Sequence, residues 1–255
     1  MTGVLIPSRF NGPPGSANGG YACGLVARLL GGGAAEVRLR RPPPLDRPLR
    51  WDGRRLLDGD DVVAEGWRHP DAGRPAGLPP PLSLREATAA STRFPGFVAH
   101  PFPSCFGCGP ERDQGDGLRL FPGPVDGRGL VAAPWVPHPS LLARDGVALE
   151  VVWAALDCVG GWAGLADVAD APGAGAVEGT YVLGTMRGAV ERWAAVDQPH
   201  VALGWQGGVE GRKLECGSVL YTAIGELVGW SHQIWIRIAE PAAEVPQASE
   251  PARGA

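Results

Sequence analysis

The chain has 255 residues, 20% of them charged, and a formal net charge of −4. That length suits one large domain or two of roughly 100 to 150 residues each. With 27 acidic against 23 basic residues it offers no basic field for nucleic acid. Its apolar runs are broken by Gly, Pro or charge before the roughly 20 residues that a membrane helix needs. The first residues, MTGVLIPSRF, lack the charged start and long apolar region of a signal peptide. Five cysteines, an odd count, argue against a disulfide framework. Together these features predict a soluble cytoplasmic protein with no nucleic-acid or membrane partner. Lys213 is the one lysine, and Ala, Gly and Pro abound, as in coding from a GC-rich bacterial genome.

In chain order, a helix is predicted from about Gly20 to Leu30, stopped by Gly31, Gly32 and Gly33. A strand over Ala35–Arg41 follows, then extended segments in PPPLDRPLRW and VVAEGW. The stretch Pro70 to Pro81, rich in Pro and Gly, reads as a connector. The second part repeats the order, with a helix from about Val147 to Trp162. After it come GTYVLGTMRGAVERW, HVALGWQGG, KLECGSVLYTAIGELVGWS and HQIWIRI, whose alternation and Val, Ile, Tyr and Trp content favour antiparallel strands with one buried face. LDRPL (Leu45 to Leu49) echoes VDQPH (Val196 to His200), which is either a trace of internal repetition or chance. The tail from Glu240 to Ala255 has no apolar period and is expected to be disordered.

Asn18, Gly19 and Gly20 stand at the mouth of the first helix. A helix N-terminus carries unpaired N–H groups and roughly half a positive charge, and glycine lets a ligand oxygen approach the backbone. Such an end can hold a developing oxyanion; the plainer reading is that Asn18 caps the helix and the glycines make a tight turn. Asp157 lies within an apolar helix, where a carboxylate must be compensated. Partial desolvation would raise its pKa and suit it to act as a general base, unless it faces solvent. Glu150, seven residues earlier, falls on roughly the same helix face and either shares a cleft or is exposed.

Cys105 and Cys108 form a C-x-x-C with His100 nearby. A structural zinc site usually takes four ligands and only three are at hand, while a redox pair lacks a βαβ setting. A tight turn with small buried thiols is therefore expected, with no metal. No phosphate-binding loop stands in a strand-to-helix context, and no cofactor is expected. Tyr21, His138 and Trp153 are candidate substrate contacts; His138 in its loop is otherwise solvent-exposed, and Trp153 with Trp162 is otherwise core. Arg187, Arg192 and Arg212 are candidate phosphate contacts or ordinary surface charge.

One long helix followed by antiparallel strands, occurring twice, resembles the double hotdog fold, an α+β architecture in which two curved sheets each wrap a central helix. CFGCGPERDQGDGLRLF (Cys105 to Phe121) resembles the CFGCG…GL opening of phenylacetyl-CoA-type hotdog thioesterases. Asn18-Gly19-Gly20 is similar to the HGG that starts their central helix, and Asp157 in WAALDCVGGWA stands where they carry a helix aspartate. The resemblance implies a first unit over 1–95, a second over 96–239, and acyl thioester hydrolysis, on CoA or a carrier protein, at the interface of the units. The family's spacing from the HGG histidine to the acid links Asn18 with Ala27 and Ala148 with Asp157. Each half therefore lacks what the other has, and the resemblance implies one composite site: Gly19 and Gly20 as donors, Asn18 orienting substrate or water, and Asp157 as base or nucleophile. Asn18 in place of histidine leaves open an acyl-binding protein without turnover. A hotdog dehydratase fits less well, because no histidine follows Asp157 before His200. A homodimer paired through sheet edges is a further possibility.

Overall fold

The computed structural model describes residues 2–69, 74–165 and 179–238. The first residues of the expected connector, 70–73, and the tail from Glu240 lie outside the described residues. The N-terminal half runs β1 (Thr2–Val4), α1 (Gly19–Leu29), β2 (Ala35–Leu39), β3 (Leu49–Trp51), β4 (Arg55–Asp58) and β5 (Asp61–Arg68). After α2 (Leu84–Ser91) come β6 (Gly123–Val125), β7 (Leu130–Trp135), α3 (Leu149–Leu165), β8 (Thr180–Val190), β9 (His200–Glu210), β10 (Lys213–Thr222) and β11 (Leu227–Ile238).

The strands form one 11-stranded sheet, ordered β1-β3-β4-β5-β2-β8-β11-β10-β9-β7-β6, with every pairing antiparallel. The two halves meet at β2 and β8, where Val37 lies opposite Met186 and Glu36 opposite Arg187. The expected run Lys213 to Ser231 is a hairpin, not one strand. It turns at Gly225, whose φ of +84° suits glycine, and HQIWIRI continues the second arm, β11.

Helices α1 and α3 lie against the sheet and against each other. Their contact is close because α1 presents glycines: a Cβ on Gly20 would collide with Asp157 and Trp153, and one on Gly24 with Glu150 and Trp153. Gly20 meets Ala154, and Gly24 meets Glu150. Residues 130 apart in sequence thus exchange places, the signature of an isologous contact. The sequence echo has a backbone counterpart. Asp46 and Asp197 have φ of +53° and +57°, and their N–H groups donate to Ile6 and Pro137 carbonyls that precede the equivalent helices.

One helix was not expected from the sequence. Ser83 and Glu86 form a reciprocal capping box that starts α2, which packs on β6, β7 and β9. The described part of the connector lies on the C-terminal half: Arg74 pairs with Glu191, and the Tyr221 hydroxyl donates to the Pro79 carbonyl.

Candidate active site

A cavity of about 430 Å³ opens where the first turn of α1 meets the middle of α3. Asn18 and Gly19 line it from α1, Asp157 and Trp162 from α3, Leu183 from β8 and Trp235 from β11. The walls are mostly apolar, the polar groups few and convergent, and the size is that of a small-molecule site.

Asn18 is the N-cap of α1, its Oδ1 accepting the Tyr21 N–H at 2.8 Å. Asp157 is 2% exposed, and its Oδ2 accepts the Gly20 N–H at 2.8 Å across the helix contact. Burial pushes the Asp157 carboxyl up to about 8, against the Gly20 N–H and the neighbouring Asn18 amide, which favour the charged form. Its Oδ1 is buried with no hydrogen-bond partner among the described residues, a state that usually signals a functional group or an absent ligand.

These contacts change the expected division of labour. The Gly20 N–H is already spent on Asp157, so in this state Gly20 orients the acid and is not a free oxyanion donor. Among the described residues the Gly19 N–H makes no hydrogen bond, and Gly19 faces the cavity. The glycines do not make a left-handed turn. They are small because α3 and Leu183 press on them, and a Cβ at Gly20 would occupy the space of Asp157.

The four expected substrate contacts are not in the cavity wall. Tyr21 stacks on Phe10, with ring centroids 4.0 Å apart. Trp153 is fully buried core packed over Gly24. Glu150 is buried because its carboxylate accepts from Arg28, and α3 carries it away from the cavity on the far side of the helix contact. His138 accepts the Ser140 N–H at the start of a short 3-10 turn. Arg187, Arg192 and Arg212 are also absent from the wall, which instead includes Arg40 and Arg41 beyond β2; these pair with Glu65 and Asp61.

Sequence reasoning missed the sulfur wall. The CFGCG loop folds against α3 so that Cys105, Cys108 and Cys158, all lining the cavity, bring their sulfurs within 4.8 Å of one another. The third thiol near the pair is Cys158, 53 residues along the chain from Cys105, and His100 is not in the cluster. Its adjacency to Asp157 in sequence was the available signal.

No protein-family model matches the sequence, and no curated protein does. Solved structures do match in fold. A tesB protein from Mycobacterium avium subs paratuberculosis aligns at TM-score 0.55 and 12% identity, over 92% of this chain and 91% of that one. A protein of unknown function with a hot dog fold from Alicyclobacillus acidocaldarius aligns at TM-score 0.54 and 11% identity, over 94% and 93%. An acyl-CoA thioesterase II, TesB2, from Mycobacterium marinum aligns at 0.53 and 14%, over 89% and 93%. The architecture is thus that of hotdog proteins, along nearly the whole chain.

Proposed function

We propose that this protein is a double hotdog that hydrolyses acyl thioesters on CoA or a carrier protein at one site between the units. The expected division at residues 95 and 96 moves back to the connector, because α2 packs on β6, β7 and β9. The observation that carries this reading is the buried Asp157 carboxylate, held by the Gly20 N–H at the wall of an apolar cavity. The acyl chain fills the apolar part, beside Leu183, Trp162 and Trp235. The thioester carbonyl turns toward the α1 N-terminus, where the Gly19 N–H and the helix dipole stabilise the oxyanion as charge develops. Asp157, whose Oδ1 has no partner among the described residues, acts in its ionised form, favoured above about pH 8. It either takes a proton from water as the water attacks the carbonyl, or attacks directly to give an anhydride that water opens. In both routes the C–S bond breaks, and the thiolate leaves and is protonated to the free thiol. The resemblance of the CFGCG loop and the Asn-Gly-Gly start to hotdog thioesterases supports the same assignment, as do neighbours named thioesterases.

Asn18 stands where the resembled enzymes carry histidine, and its amide is committed to the helix cap and to neighbouring sulfurs. That arrangement favours, as the second reading, an acyl-group binder without turnover. Release of free thiol from a panel of acyl-CoAs separates the two. Hydrolysis by the parent that falls in Asp157→Asn and in Asn18→Ala supports the composite site. A thermal shift with acyl-CoA but no thiol release supports the binder, and full activity in both variants removes the site.

A further inference from the structure

The three thiols at the cavity are arranged as a ligand set. Cys105 and Cys158 sulfurs stand 3.9 Å apart. Two sulfurs bound tetrahedrally to zinc at about 2.3 Å lie roughly 3.8 Å from each other, whereas a disulfide requires about 2.05 Å. The spacing therefore suits a shared ion without moving the backbone.

The loop around them is shaped for the same purpose. Cys105-Phe106-Gly107-Cys108-Gly109 makes a tight turn that brings the Cys105 and Cys108 sulfurs together. Gly109 donates to the Cys105 carbonyl at 2.9 Å, and a side chain there would strike Pro103 and Cys105 backbone. A side chain at Gly107 would strike the Cys158 sulfur. Both glycines are thus required for the loop to close on α3. Asn18 adds an outer contact. Because its Oδ1 is fixed by the Tyr21 N–H, the amide nitrogen must point the other way, and it lies 3.5 Å from Cys158 and 3.8 Å from Cys105 sulfur.

The remaining cysteines show what a merely buried thiol looks like here: Cys23 and Cys216 sit apart in the core and join no such cluster. Three convergent thiolates select a soft or borderline ion. His100 does not complete the set, since its Nδ1 already accepts the Phe102 N–H and the neutral ring must then carry its proton on Nε2. All three cysteines line the cavity, so a small ligand there is within reach of the fourth position, as in zinc sites with three protein ligands.

We propose that Cys105, Cys108 and Cys158 bind one zinc ion in the cavity wall, joining the CFGCG loop to α3 and leaving one coordination position to a small ligand in the cavity. Binding displaces the thiol protons to solvent, so uptake is accompanied by proton release. The proposal does not depend on thioester hydrolysis.

The test uses the full chain, reduced and freed of metal, titrated with Zn²⁺ and, in parallel, Co²⁺. One equivalent of zinc per chain is expected by elemental analysis. Cobalt should give sulfur-to-metal charge transfer and the intense ligand-field bands of a tetrahedral thiolate site. Thiol titration should show three of the five cysteines protected by the ion. Cys108→Ser and Cys158→Ala should each lower the affinity at least tenfold, with Cys216→Ser unchanged. Should Cys158→Ala fold poorly, Cys158→His keeps a ligand and should shift the cobalt spectrum. A reduced, folded parent that takes up neither ion overturns the proposal. So does undiminished binding by a folded Cys158→Ala or Cys108→Ser, a cobalt spectrum left unshifted by Cys158→His, or a Cys105–Cys158 disulfide in the protein as isolated with no metal uptake after reduction.

Discussion

The starts of α1 and α3 are related by the two-fold contact between the helices, yet they have been finished in opposite ways. At α1 the residues are Asn18, Gly19 and Gly20, and the facing helix supplies Asp157 followed by Cys158. At α3 the equivalents are Ala148, Leu149 and Glu150, facing Ala27 followed by Arg28. The first end is open to a cavity, with a carboxylate held by backbone N–H and one of its oxygens unpartnered among the described residues. The second is self-sufficient, because the Glu150 carboxylate accepts from Arg28 and Ala27 is fully buried. The difference teaches that a polar group at a helix contact is explained by whether the protein itself satisfies it. Glu150 is satisfied and Asp157 is only half satisfied, so the proposed chemistry falls on one end alone.

The strongest way to break this comparison is to remove the acid. Asp157→Asn keeps the shape and the Gly20 contact but cannot take a proton, and thiol release from acyl-CoA should fall by about 10²–10⁴-fold. Its melting temperature should not drop, since a buried acid with no cationic partner and one oxygen unpartnered among the described residues is replaced by a neutral amide. A variant that retains more than a tenth of the parent rate shows that Asp157 is structural.

Gly20→Ala tests the contact itself. Its Cβ would meet Asp157 and the Trp153 carbonyl, so α1 and α3 must part. Overpacking of this kind costs typically about 1–3 kcal/mol, to be read from denaturant unfolding. Hydrolysis should fall as well, because the N–H that orients the acid moves. An alanine accepted with neither loss would mean that close approach at this point is unimportant.

Much of this was legible in the sequence, and the illegible parts share a cause. The Asn18 cap, the apolar period of α3 and the alternation of β8 to β11 are local patterns, and the composite pairing of Asn18 with Asp157 followed from the spacing of a resembled family. Gly20 as a close-approach residue was not readable, because its reason is the Asp157 side chain on another helix. Cys158 joins Cys105 through tertiary folding alone. Glu150 was misassigned because helix periodicity places it on the face of Asp157 but cannot show that Arg28 waits for it. For α2, the Ser83–Glu86 capping box was present in the sequence, but the helix carries alanine where a larger apolar stripe would have announced it.

The satisfied end predicts a smaller response. Glu150→Gln weakens a pair whose arginine is 52% exposed, and solvent screening limits the loss to about 1 kcal/mol. Hydrolysis should be unchanged, since the pair lies outside the cavity wall. A tenfold fall in rate at unaltered stability would return Glu150 to the site and undo the contrast between the two helix ends.

The smallest effect tests the repeat where it continues into the sheet. The echo that aligns Leu45–Leu49 with Val196–His200 puts His200 opposite Leu49, and both are buried, at 1% and 2% exposure. Burial lowers the His200 pKa below its ordinary value of 6.5, although the Gln198 and Trp135 backbone contacts favour the charged ring. The unfolded chain therefore binds the proton first as pH falls. Stability from the neutral ring is intact above about pH 6.5 and is lost between there and the lower folded pKa. The slope is at most about 1.4 kcal/mol per pH unit. His200→Leu, which copies the other half, should remove this component. The substitution also deletes the bond to the Gln198 carbonyl and alters packing, but those changes shift stability equally at every pH. Denaturant unfolding of parent and variant across pH 5 to 8 should thus give curves that are parallel above pH 6.5 and not below it, where the parent loses stability relative to the variant. Curves parallel throughout would show that His200 titrates alike in both states and that the substitution of histidine for leucine in this half has no electrostatic consequence.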